Sequence, residues 1–297
     1  MEEKHYLLAL NMISGLGSLK ISRLLNSFAK AEDVFHATEK DLQNIFGIGN
    51  EITQRIKKFD RSSLEKELQL CKKYDIKIMT IMDSGYPDVL REIPDSPIVL
   101  YYKGNLDVLD FNFAVVGSRK ASSYGLSIAE KFSYQLADLG VVIVSGMARG
   151  IDTAAHTGAL KAKGKTVAVL GSGLLNIYPS ENNILMEKIA ATGVVITEFP
   201  LHSAPLRENF PRRNRIVSGL SRGVLVVEAA ERSGALITAD LALDQGRDVF
   251  AVPGKVDSPT SFGANYLIKQ GAKLVNSIED ILEEYNLSAE SNVSEGV

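Results

Sequence analysis

Among 297 residues there is one cysteine, Cys71, and no tryptophan. A lone thiol closes no disulfide within the chain and builds no Cys-based zinc cage. That usage fits a reducing cytoplasm, which is the expected location. The missing tryptophan excludes nothing. No apolar run approaches the roughly 18 residues that a membrane helix needs, so no membrane role is expected. The apolar stretch 6–13 is short, and the preceding Met1-Glu2-Glu3 is not a basic leader. A secretory signal is therefore not expected. Neither a metal nor a cofactor is expected.

Hydrophobic residues make up 45% and charged residues 23%, which are ordinary globular values. At about 150 residues per domain, the length suits two domains. The net charge of −3 is uneven. Glu279, Asp280, Glu283, Glu284, Glu290 and Glu295 crowd the last segment, which has no Lys or Arg. Without it, residues 1–275 carry +3. Within 205–222, Arg207, Arg212, Arg213, Arg215 and Arg222 face Glu208 alone. Arginine suits bidentate phosphate recognition, so this cluster points to an anionic ligand.

Residues 1–65 read as a small all-helical domain. Helical stretches flank Gly15-Leu16-Gly17, and a second pair flanks Gly47-Ile48-Gly49, 32 residues later. Thr38-Glu39-Lys40-Asp41 has a capping-box pattern. The repeated unit resembles paired helix-hairpin-helix motifs or the related SAM-like fold. Glycine permits the tight turn and leaves helix amides where a phosphate can dock. Packing or protein contact is equally compatible with these turns.

Residues 66–285 alternate short β-rich runs with helical segments. The runs are 76–81, 98–102, 113–116, 141–144, 166–170, 194–197, 224–227 and 249–252. Several are almost wholly aliphatic, as expected of parallel strands covered on both faces. The expected fold is α/β, with an extended Rossmann-like, doubly wound, mostly parallel sheet. Ligands on such sheets bind at the carboxyl ends of strands. Residues 286–297 read as a disordered acidic tail.

The strand ends carry the candidate chemistry. Gly117-Ser118-Arg119 follows one run and offers amides beside a fixed charge, as a phosphate nest would. Ser145-Gly146-Met147-Ala148-Arg149-Gly150-Ile151-Asp152 repeats that logic. Asp152 and His156 are four apart on one helix face, a spacing that serves general-base chemistry or simple capping and packing. Gly171-Ser172-Gly173 begins like a dinucleotide fingerprint, but its third glycine position is Asn176, so a dinucleotide site is not expected. Gly164-Lys165-Thr166 precedes a strand, whereas a P-loop must follow one. In 207–217, Arg212 and Arg215 are three apart and are expected to share a face. Phe210 lies beside the arginines, a pairing that suits a single strand: cations track phosphates and an aromatic ring stacks on a base. Glu228 ends another run, where it can act in catalysis or hold a neighbouring arginine. Ser233-Gly234 can present amides at the next helix.

These blocks, in order, resemble the DNA-processing protein A family (DprA, also called Smf). They are Val116-Gly117-Ser118-Arg119, 145–152 with Ala155-His156, 169–173, Tyr178-Pro179, 210–216, 233–239 and Val252-Pro253-Gly254. The resemblance implies an extended Rossmann domain that binds incoming single-stranded DNA in natural transformation, the competence pathway for DNA recombination. It also implies protection of that DNA, loading of RecA recombinase, homodimer formation and no enzymatic activity. The implied pocket falls on Gly117, Ser118, Arg119, Phe210 and Arg207, with Asn214 and Arg215 in the same motif. Together with the strand-end reading, the candidate DNA-binding set also takes in Ser145, Gly146, Arg149, Arg212, Arg213 and Gly234. Some relatives carry a basic residue soon after the Tyr-Pro turn, where this chain has Ser180-Glu181. Many also carry a C-terminal winged-helix-like domain, which is not expected here. The competing expectation is a nucleotide-processing enzyme resembling the lysine-decarboxylase-like phosphoribohydrolases, with Glu228 catalytic. The stretch 233–238 lacks the paired glycines of their loop. A third reading, compatible with the first, is an adaptor whose helical domain recruits partners.

Overall fold

The computed structural model describes residues 2–109 and 111–287. From residue 288 on, the expected acidic tail lies outside the described residues. The chain divides into two compact units.

The first unit comprises Met1–Lys103 with Ser172–Asn176 and Thr197–Ala204. Its helices are α1 (Glu3–Met12), α2 (Ser18–Ser27), α3 (Ala31–His36), α4 (Glu39–Gln43), α5 (Asn50–Lys57), α6 (Arg61–Lys73) and α7 (Asp88–Arg91). Strands β1 (Lys77–Thr80) and β2 (Val99–Gly104) pair antiparallel, with Lys77 opposite Tyr102. The unit thus reaches beyond residue 65, because β1 packs against α1 and α6 and two short segments join it from far along the chain. The glycine turns hold as helical hairpins. Gly15 and Gly47 take φ of 81° and 88°, and Leu16 and Ile48 are buried. Thr38 caps α4, accepting from the Asp41 amide at 3.2 Å while the Asp41 carboxylate accepts from the Thr38 amide.

The second unit comprises Gly104–Gly171, Ile177–Ile196 and the segment from Pro205 onward. It alternates β3 (Asn112–Val116), α8 (Ser123–Asp138), β4 (Val142–Ser145), α9 (Ile151–Lys161), β5 (Thr166–Val169), α10 (Asn183–Thr192), β6 (Val194–Thr197), α11 (Asn209–Gly219), β7 (Gly223–Val226), α12 (Gly234–Asp244), β8 (Asp248–Ala251), α13 (Phe262–Lys269), β9 (Lys273–Leu274) and α14 (Glu279–Leu282). The strands lie in the order β6-β5-β4-β3-β7-β8-β9, all parallel. This is the doubly wound dinucleotide-fold order extended by one strand, and it confirms the expected architecture. Strands β3 to β7 are buried at every residue, as the aliphatic runs require. Phe113, Val115, Phe132, Ile143, Leu225 and Phe250 form the core on one face of the sheet. The chain leaves β3 toward β4 on one side and returns to it through β7 on the other. The switch point is therefore at the carboxyl ends of β3, β4 and β7, where an open sheet parts its loops.

Candidate functional site

Loops after β3, β4, β5 and β7 converge on a cleft of about 920 Å³. The first loop is Gly117-Ser118-Arg119-Lys120. Its Ser118 amide donates to the Glu228 carbonyl at 2.7 Å. The Glu228 carboxylate accepts from the Ser122 amide at 2.9 Å and the Ser122 hydroxyl at 2.6 Å. Ser122 in turn caps α8, accepting from the Gly125 amide. Buried Glu228 is thus engaged by Ser122 and is not among the residues that line the cleft. It ties the end of β7 to the start of α8 and sets the shape of the first loop.

The second loop is held from below. Gly150 takes φ of 77°, and a Cβ there would stand 2.3 Å from the Ser118 carbonyl oxygen. Only glycine lets the two loops touch. Gly146 is just as close to the arginine beneath it: a Cβ would sit 2.0 Å from Arg213 Nη1. Arg213 is 3% exposed and donates to the Val169 carbonyl. Burial pushes its pKa down to about 10, against the favourable charge of Asp152. Burial likewise raises the Asp152 carboxyl above the usual range, and the Arg213 guanidinium and the Ala148 amide oppose that shift. Arg213 and Asp152 are thus a buried cation and anion that brace the cleft floor.

The Asp152–His156 spacing does not produce a catalytic pair. His156 is fully buried, and its Nδ1 lies 2.7 Å from the Thr166 hydroxyl, which donates to the Ile143 carbonyl. Burial drives the imidazole pKa down to about 3, so it stays neutral and away from solvent. Among the described residues no group of three His, Cys, Asp or Glu side chains could hold a metal ion. No helix among them is long and apolar enough to cross a membrane.

The open part of the cleft is aromatic and cationic. The Arg119 guanidinium lies 4.7 Å from the centre of the Phe210 ring. Tyr178 stands on the same ring at 5.9 Å, tilted by 58°. Arg149 in turn lies 5.7 Å from the Tyr178 ring. Both of its hydrogen-bonding nitrogens go to Glu181, which holds the Glu181 carboxyl below its usual range. Exposed Arg207 and Arg232 also line the cleft. Asp152 is the one carboxylate residue in that lining among the described residues.

The cleft therefore gathers Gly117, Ser118, Arg119, Gly146, Arg207, Phe210, Arg213, Asn214 and Gly234 from the sequence-derived set. The Asn214 side chain donates to the Gly234 carbonyl at 3.2 Å and joins α11 to α12. Arg149 lines the adjoining groove instead. Ser145, Arg212 and Arg215 line neither. Ser145 is fully buried and donates to the Val115 carbonyl. Arg212 is exposed while Arg215 is buried, so their spacing did not give them a common environment. Sequence reasoning missed Lys120, Tyr178 and Arg232 as lining residues. Lys120 follows Arg119 directly, and the aromatic of Tyr178-Pro179 was an available signal.

The protein is thus of the α/β class, an open parallel sheet with a cationic, aromatic cleft at its switch point. Residues 77–286 match the DNA recombination-mediator protein A family, and the chain belongs to that family. It is 46% identical over 248 residues to DNA processing protein DprA of Streptococcus pneumoniae, covering 82% of this chain and 86% of that one. Against protein Smf of Escherichia coli it is 48% identical over 232 residues, covering 77% of this chain and 62% of that one. The X-ray structure of S. pneumoniae DprA superposes with a TM-score of 0.83 at 41% identity, over 94% of this chain and 97% of that one. A structure of DNA processing protein A from Helicobacter pylori, which describes that protein's single-stranded DNA binding mode, superposes with a TM-score of 0.64 at 28% identity. It covers 71% of this chain and 96% of that one.

Proposed function

We propose that the cleft binds single-stranded DNA and that the protein is a recombination mediator without catalytic activity. In this reading it protects incoming DNA in natural transformation and loads RecA recombinase onto it, as a homodimer in the cytoplasm. The observation that carries the reading is the Phe210 ring in the open part of the cleft, with the Arg119 guanidinium 4.7 Å and the Tyr178 ring 5.9 Å from its centre. A base stacks on such a ring whatever its identity, while Arg119, Lys120 and Arg207 meet the phosphates. The candidate contacts are Gly117, Ser118, Arg119, Gly146, Arg207, Phe210, Asn214 and Gly234, with Arg213 supporting them from below. Engagement of Glu228 by Ser122 argues against the phosphoribohydrolase reading, which needs that carboxylate at the substrate.

The test is binding of labelled oligothymidine and of duplex DNA across a salt series. Log affinity for the single strand is expected to fall with log salt by about 0.7 for each phosphate contacted. Equal affinity for duplex, or a flat salt response, overturns the reading. RecA loading is tested next, by filament assembly on DNA coated with single-strand-binding protein. Addition of the protein is expected to shorten the lag.

A further inference from the structure

A second groove opens beside the cleft. It encloses about 1040 Å³ between α8 and α9. Arg119 and Lys120 line both spaces, so the two adjoin at the first loop. Along α8 the groove runs from Leu126 to Gln135, about 14 Å at a helical rise of about 1.5 Å per residue.

Its chemistry repeats that of the cleft. Lys120 and Lys131 are exposed on its wall. Tyr134 is 41% exposed and Leu126 is 38% exposed, which gives an aromatic and an aliphatic surface beside the two cations. The carboxylates in the lining are already neutralised: Glu130 pairs with Lys161, and Glu181 pairs with Arg149. Glu279, whose carboxyl is held below its usual range by Ser277 and, more weakly, by Lys131, stands nearby, and within the lining the cations outnumber the carboxylates.

We infer that this groove is a second nucleotide subsite, which receives the stretch of the same single strand that leaves the Phe210 cleft over Arg119. Lys120 and Lys131 carry its phosphates and Tyr134 offers the stacking surface. The Arg149–Glu181 pair stands at the junction and leaves those two lysines as the charges that meet the strand. The inference rests on the single-strand reading of the cleft. The occupant follows from adjacency and charge: a chain of phosphates held at Arg119 has a cationic, partly apolar groove on the other side of the same loop.

Oligothymidines of about six and about twenty nucleotides, within and beyond the range of single-site footprints, separate the two spaces. Fluorescence anisotropy is read on the full chain. Lys131→Ala and Tyr134→Ala are each expected to weaken the longer strand about fivefold and to leave the shorter one unchanged. Lys131→Ala is also expected to reduce the salt slope on the longer strand by about 0.7. Tyr134→Phe is expected to bind both lengths as the parent does. Unchanged binding of the longer strand by both alanine variants overturns the subsite, as does an equal loss on both lengths. Lys131 is exposed, so its substitution tests the groove even where Tyr134→Ala is poorly folded. Failure of the parent protein to bind either length defeats the single-strand reading itself, which is a different result.

Discussion

The helical hairpins of the first unit and the strand-end loops of the second are made from the same parts: glycine, a helix start and arginine. They use the arginine in opposite ways. In the hairpins each guanidinium closes the other hairpin's turn. Arg55 donates to the Ser14 carbonyl at 2.7 Å, and Arg23, 32 residues earlier, donates to the Phe46 carbonyl at 3.2 Å. The arginines satisfy backbone carbonyls that the turns leave unpaired, and the repeat becomes a reciprocal brace. At the strand ends Arg213 does the same beneath Gly146, but Arg119 lies over an aromatic ring with its edge open to the cleft. A glycine turn with an arginine near it is thus no measure of anion binding. What matters is where the guanidinium's donors already point.

The sharpest break in this comparison is expected from Gly150→Ala. A Cβ against the Ser118 carbonyl, at a positive φ, is expected to cost about 3 kcal/mol or more of stability and to abolish binding, read by urea unfolding and anisotropy. A stable, DNA-binding Gly150→Ala would show that the two loops need not touch. Phe210→Ala comes next. Loss of a stacking platform worth about 1–3 kcal/mol predicts a tenfold or greater fall in affinity for oligothymidine, with a far smaller change in melting temperature.

A third expectation concerns the buried framework rather than the cleft. His156 is neutral in the fold, with its pKa pushed down to about 3, whereas the unfolded chain takes up that proton below about pH 6.5. Its contribution is fully present above pH 6.5 and is lost as pH falls toward 3. Between pH 6.5 and 5 the loss is expected to reach about 2 kcal/mol. His156→Asn should flatten the pH dependence of the unfolding free energy in that window. An unchanged slope would place the proton elsewhere.

The smallest effects bear most directly on the contrast. Arg119→Ala is expected to lower the salt slope by about 0.7 and to leave stability nearly unaltered. Arg55→Ala is expected to do the reverse, costing about 1 kcal/mol with no change in slope. A lowered slope for Arg55→Ala would make the hairpins part of the DNA surface.

Strands β3 to β7 were legible in the sequence because they are buried on both faces, and each of the runs from 76–81 to 249–252 overlaps a strand. Strand β9 was not, because it spans two residues that are only half covered or exposed. Among the arginines, charge and spacing marked the cluster but not its orientation. Helix α11 packs against both β5 and α12, so a pattern of period 3.6 cannot say that Arg213 and Arg215 turn inward while Arg212 turns out. Glu228 was similarly ambiguous. Its partner, Ser122, is 106 residues away, and nothing in either local sequence announces the other.

The strand order has a further consequence for a chain still being made. Gly117 and Gly146 precede α11 and α12 in the chain, yet the cleft also needs Arg207 and Phe210 from the connection after β6 and Gly234 from beyond β7. Synthesis proceeds at about 5–20 residues per second. Through the first two hundred residues the emerging polypeptide has neither Arg207, Phe210 nor Glu228, so the cleft cannot yet be complete. The proposed cleft is complete only after the chain has passed β7 and reached Gly234, so binding there, as proposed, is a property of the finished second unit.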